Sequence, residues 1–143
     1  MGSKPNGEGR VLDETEITIM EVIGRTRWAI PEGYIPSASV SSERALVSHE
    51  TACILNAGDR DAHIALTIFF ANRDPVGPYP IVVPARRTLH LRFNDLTDPQ
   101  PIPRDTDYAS VFESDVPIVV QHTRLDSRRA EIALLSTVAY AEG

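Results

Sequence analysis

The segment Val116-Pro-Ile-Val-Val-Gln-His-Thr-Arg-Leu-Asp-Ser-Arg-Arg129 decides how the rest of this chain is read. It begins as an apolar β-type run and passes without a break into a cluster of charge. Successive residues of a strand point to opposite faces, so Ile118, Val120, His122, Arg124 and Asp126 share one side. Apolar groups at one end of that row and His, Arg and Asp at the other place chemistry at the rim of a sheet. Packing alone does not account for such a row.

Outward from this segment the period of two recurs. Residues 63–70 alternate, with Ile64, Leu66, Ile68 and Phe70 on one face and His63, Ala65, Thr67 and Phe69 on the other. Residues 87–94 do the same, with Leu89, Leu91 and Phe93 inward and Thr88, His90, Arg92 and Asn94 outward. Residues 25–30 read as a strand closed by Pro31-Glu-Gly33. Residues 51–55 read as a buried strand closed by Asn56-Ala-Gly-Asp59, a strong turn signal. Pro80 and Pro84 confine residues 79–83 to a strand end or an edge. Residues 95–107, with Pro99, Pro101 and Pro103, form an irregular loop. Residues 108–112 fit a further strand, separate from the opening one. Residues 130–140 stay open, since Ile132, Leu135 and Val138 suit a helix while Ser136-Thr-Val-Ala-Tyr140 suits a strand. Residues 11–23 are equally ambiguous. Short strands at this spacing predict a sandwich or barrel. Residues 1–22 are expected to be a partly disordered N-terminal extension, and 23–143 one β-sandwich domain.

With 143 residues, the chain suits one domain and needs no disulfide or metal to fold. The net charge of −6 does not fit a nucleic-acid binder. Of the 14 basic residues only Lys4 is a lysine, and arginine favours fixed bidentate contacts. A single cysteine, Cys53, fits a reducing cytoplasm, and no apolar run reaches the roughly 20 residues that span a bilayer.

Three constellations are candidates for chemistry. His49, Glu50, His63, His90 and His122 offer metal-type ligands. However, no His-x-His pair is present, and Pro84-Ala-Arg-Arg-Thr-Leu-His90 is only loosely similar to the second cupin motif. Hydrogen-bonded or exposed histidines are the simpler account. Ser48, His49 and Glu50 look nucleophilic, but adjacent strand residues face opposite ways, so His49 cannot serve Ser48 as base. Cys53, among Ala52, Ile54 and Leu55, is expected to be buried and inert. The third is an anion or polyol pocket built from Arg86, Arg87, His90, Arg92, His122, Arg124 and Asp126, with Trp28 and the tyrosines as a stacking face. In it Asp126 would accept from a ligand or hold Arg124. The same residues equally suit a subunit interface or a structural ion-pair network.

Seven stretches carry a resemblance. They are Trp28-Ala-Ile-Pro-Glu-Gly-Tyr-Ile-Pro36, Ser48-His-Glu-Thr51, Cys53-Ile-Leu-Asn-Ala-Gly-Asp59, Pro75-Val-Gly-Pro-Tyr79, Val83-Pro-Ala-Arg-Arg-Thr88, Arg92-Phe-Asn-Asp-Leu96 and Val116 to Ser127. The chain resembles the sensory rhodopsin transducer family from about Ile23 to its C-terminus, and residues 1–22 have no counterpart in the short namesake. The resemblance implies an all-β antiparallel sandwich, jelly-roll-like and similar to carbohydrate-binding modules. It also implies a homotetramer with no catalytic residue to carry over and no cofactor. The expected function is non-enzymatic binding or signalling in the cytoplasm, with a sugar, an anion or a protein as partner. One alternative is a transducer docked on the cytoplasmic face of a sensory rhodopsin or another membrane receptor. A second alternative is a cupin-like metal-dependent enzyme.

Overall fold

A computed structural model describes Gly9 and residues 23–143. Apart from Gly9, the readings made for residues 1–22 fall outside the described residues. The order is β1 (Arg25–Gly33), β2 (His49–Asn56), β3 (Ala62–Phe70), β4 (Val76–Val83), β5 (Arg87–Arg92), β6 (Tyr108–Asp126), β7 (Ala133–Val138) and β8 (Tyr140–Glu142). Short 3-10 turns lie at Arg44–Leu46 and Phe93–Asp95. The architecture is the expected all-β antiparallel sandwich. One sheet runs β4-β3-β6-β1-β8, and the other runs β5-β2-β6-β7.

The two strands expected at 108–112 and 116–125 are one strand of 19 residues. Its first half pairs with β1 and β3, and its second half with β2 and β7. Asp115, Val116 and Pro117 have no partner in those registers, so this is the corner where the strand changes sheets. A proline costs nothing there, because no ladder hydrogen bond is asked of its nitrogen. Asp115 supplies a substitute: its Oδ1 accepts the His63 backbone N–H at 2.8 Å where β3 loses its neighbour.

β1 likewise continues past the expected stop at Pro31. The register shifts between Ile30 and Gly33, so Pro31 sits in an irregularity and not in the regular ladder. Gly33 is needed for space: a Cβ there would lie 2.5 Å from the Tyr108 ring. The 130–140 segment resolves as two strands on different sheets, joined where the Ala139 N–H bonds to the Val120 carbonyl at 3.1 Å.

The core lies between the sheets. Trp28, Ile64, Leu66, Ile68, Ile81 and Phe112 meet Ala52, Ile54 and Val120. Each large side chain so buried contributes about 1.5–3 kcal/mol. Phe93 packs edge-on to Phe112 at 6.4 Å and tilts against Tyr108 at 5.6 Å. The Asn56 turn is held by its own side chain, which donates to the Arg60 and Val83 carbonyls and accepts the Gly58 N–H.

Candidate functional site

The row that begins with Ile118 faces inward. Ile118 and Val120 are fully buried, His122 is 4% exposed, and Arg124 reaches partway out. Opposite it, β2 turns Glu50 inward on the same parity as Ala52 and Ile54. Glu50 has no exposed surface. Burying a charge is costly unless it is paired and hydrogen-bonded, and here both conditions are met. Glu50 Oε1 accepts the Tyr34 backbone N–H at 2.8 Å and Arg124 Nε and Nη2 at 2.9 and 2.6 Å. Glu50 Oε2 contacts His122 Nε2.

Arg124 also donates to Glu32 Oε2 at 2.6 Å. Burial opposes the Arg124 charge, but Glu32 and Glu50 outweigh it and raise its pKa. The Tyr108 hydroxyl lies close enough to feel Glu50, Arg124 and Glu32, is buried, and has no hydrogen-bond partner among the described residues. Burial, then the Glu50 carboxylate, pushes its pKa strongly upward.

Asp126 holds Arg128 and not Arg124, accepting Arg128 Nη2 at 2.6 Å and Nε at 3.0 Å. The Arg128 guanidinium in turn lies over the Tyr34 ring. Arg86 and Arg87 are exposed at the far end of the second sheet. Arg87 pairs with Asn56, six positions along β2 from Glu50, which is about 20 Å at 3.3 Å per residue. That exceeds the roughly 8 Å over which exposed charges act in physiological salt, so the two groups do not form one pocket.

His90 points out beside Cys53 on the outer face. The expected burial of Cys53 is corrected by the same parity: Ala52 and Ile54 take the inward positions, leaving Cys53 partly exposed. Trp28 is 6% exposed and donates Nε1–H to the Arg25 carbonyl at 3.0 Å, so it is a core residue and not a stacking face. Of the tyrosines read with it, Tyr140 is exposed, beside Ala29 and Val111 on the outside of the first sheet.

The metal-type residues do not converge. His63 pairs with Asp115 at 2.9 Å, and His49 Nδ1 meets the Val47 carbonyl. His90 and the Glu50–His122 pair lie elsewhere, and no group of three or more His, Cys, Asp or Glu among the described residues is placed to hold a metal ion. The cupin-like alternative therefore loses its ligand set. Ser48 is a structural staple, bonded to the Ala38 carbonyl, the Ser127 N–H and the Ser127 hydroxyl.

A feature that the sequence reading left open is β7. Every one of its residues is exposed, on both faces. Leu134, Leu135 and Val138 are 70%, 50% and 67% exposed, and among the described residues β7 pairs only with β6. Its Ala-Leu-Leu-Ser-Thr-Val sequence carries no charge to deter edge pairing. The ambiguous periodicity of 130–140 was itself a signal, because neither face of this strand has a core to answer to.

Comparison with known proteins places this geometry. Residues 23–141 match the family model described as Anabaena sensory rhodopsin transducer. A solved structure of the Anabaena sensory rhodopsin transducer is 62% identical, covers 71% of this chain and 97% of that one, and superposes with a TM-score of 0.62. A crystal structure of Thermotoga maritima 1070 is 37% identical over 83% of this chain and 96% of that one, with a TM-score of 0.74. No curated protein matches the chain. Among the described residues no helix is long and apolar enough to cross a membrane.

Proposed function

The chain belongs to the Anabaena sensory rhodopsin transducer family, and from that premise we propose that it is a non-enzymatic signalling protein of the cytoplasm. It works as a homotetramer through contacts made by its sheet surfaces. The observation that carries this reading is β7, an uncharged edge strand with exposed leucines and valine on a sandwich whose other charged row is turned inward and satisfied. An edge of this kind pairs with a copy of itself about a two-fold axis, supplying one of the two isologous contacts that a dihedral tetramer needs. The buried Glu50–His122–Arg124 cluster fixes the end of the sandwich from which β7 departs and does not meet a ligand.

Native mass spectrometry of the wild type and of a Leu134→Asp/Val138→Asp variant tests this. The wild type is expected as a tetramer, and the variant as monomers or dimers with the β-sheet circular dichroism retained. A monomeric wild type, or a tetramer that the variant leaves intact, overturns it.

A second reading is that the chain docks on a membrane receptor, favoured by the name of its 62% identical relative, the transducer of a sensory rhodopsin. Retention on nanodiscs holding the receptor but not on empty nanodiscs supports it. Equal behaviour on both removes it.

A further inference from the structure

A cleft of about 330 Å³ opens between the 3-10 turn at Arg44, the end of β5 and the loop before β6, and three arginines line it. Asp95 is the carboxylate among them, and Arg44 occupies it with two contacts, Nη2 to Oδ2 at 2.6 Å and Nη1 to Oδ1 at 3.3 Å. Among the described residues, Arg92 and Arg104 form no salt bridge with a carboxylate. Each is held in place by backbone carbonyls: Arg92 Nη2 donates to Arg44 at 2.7 Å, and Arg104 donates Nη1 to Ile102 at 2.9 Å and Nη2 to Asn94 at 3.2 Å. Carbonyl contacts orient a guanidinium without neutralising it, and both side chains keep N–H donors free for a ligand.

The local charge is therefore two positive in a chain whose net charge is −6. Burial, then the Arg44 charge, lowers the pKa of Arg92, and the Asp95 carboxylate only partly opposes them. A surface ion-pair network would add carboxylates to relieve this, as Asp126 relieves Arg128. Here a single carboxylate, Asp95, faces three fixed guanidinia, and the excess positive charge favours an incoming anion.

We propose that this cleft binds a phosphoryl group in its dianionic form, held by Arg92 and Arg104 with the Ser42 hydroxyl beside them. Two fixed guanidinia match its two charges and its several acceptor oxygens. The floor of the cleft is Asn94, whose side chain accepts the Glu50 N–H at 3.2 Å and donates to the Ser48 carbonyl at 3.0 Å. An anion bound there is thus one residue from the backbone of the buried cluster. This site does not rest on the assembly reading, since it lies within one chain.

The test is a titration of the ¹⁵N-labelled protein with inorganic phosphate at constant ionic strength near pH 7.5, followed at the arginine Nε–H resonances. Arg92 and Arg104 are expected to shift saturably, with a Kd of about 1 mM or tighter. Arg92→Gln/Arg104→Gln should weaken binding by roughly tenfold or more, while Arg86→Gln/Arg87→Gln should leave it unchanged. If the double variant loses its amide dispersion, Arg104→Gln alone decides. A drift that never saturates, or an unchanged Kd in the Arg92 and Arg104 variants, overturns the proposal.

Discussion

Glu50 accepts three N–H groups and meets His122, all without contact with solvent. A carboxylate in that position is stabilised only while its partners stay in register, and removing it leaves Arg124 with Glu32 alone and the Tyr34 N–H and buried His122 without their acceptor. Glu50→Ala is therefore expected to lower stability by about 3–5 kcal/mol in urea denaturation, because it removes the buried acceptor shared by Tyr34, His122 and Arg124. A loss under about 1 kcal/mol would show that the cluster relaxes freely. The inward row was legible as far as its parity, since Ile118 to Asp126 do share one side down to Arg124. Its direction was not, because alternation fixes which residues go together and not which face is buried. The identity of the partners followed from chain pairing alone: Glu32 and Glu50 lie on other strands.

The informative element is β6, which serves both sheets. Its corner rests on Asp115, whose carboxyl is held below the ordinary carboxylate range, chiefly by the His63 backbone N–H. A pKa lowered by folding contributes stability that is complete above the unfolded value near 4 and is lost as pH falls through the folded value. Asp115→Ala should then cost at most about 1 kcal/mol at pH 7, its half-exposed side chain keeping the effect small, and progressively less below pH of about 4. Thermal melts of both proteins across that range measure it; an equal difference at all pH values would contradict it. The strand periodicity at 63–70 and 87–94 was readable because one face of each meets the core. Pro117 hid the continuity of β6, since a proline ordinarily bounds a strand, and only the sheet change makes its position harmless. At the C-terminus the helix and strand patterns competed because β7 buries neither face in its own chain.

For the molecule as a whole, the arginines read from sequence as one pocket fall into separate groups: Arg86 and Arg87 at one end, Arg124 inside, and Arg92 in a cleft with Arg44 and Arg104. A sequence shows the number of cations but not their distances. Among the edge strands of the described residues, β7 is the one exposed at every position, so assembly through it is the central claim. Hydrogen–deuterium exchange of the β7 amides tests that claim most directly. In a lone chain only the amides bonded to β6 are protected, and the alternate ones, facing away, exchange as fast as loop amides. If a second copy covers the edge, amides along the whole of Ala133–Val138 are protected in the wild type, and the alternate ones lose protection in Leu134→Asp/Val138→Asp. Rapid exchange at every second amide of β7 in the wild type would contradict the account.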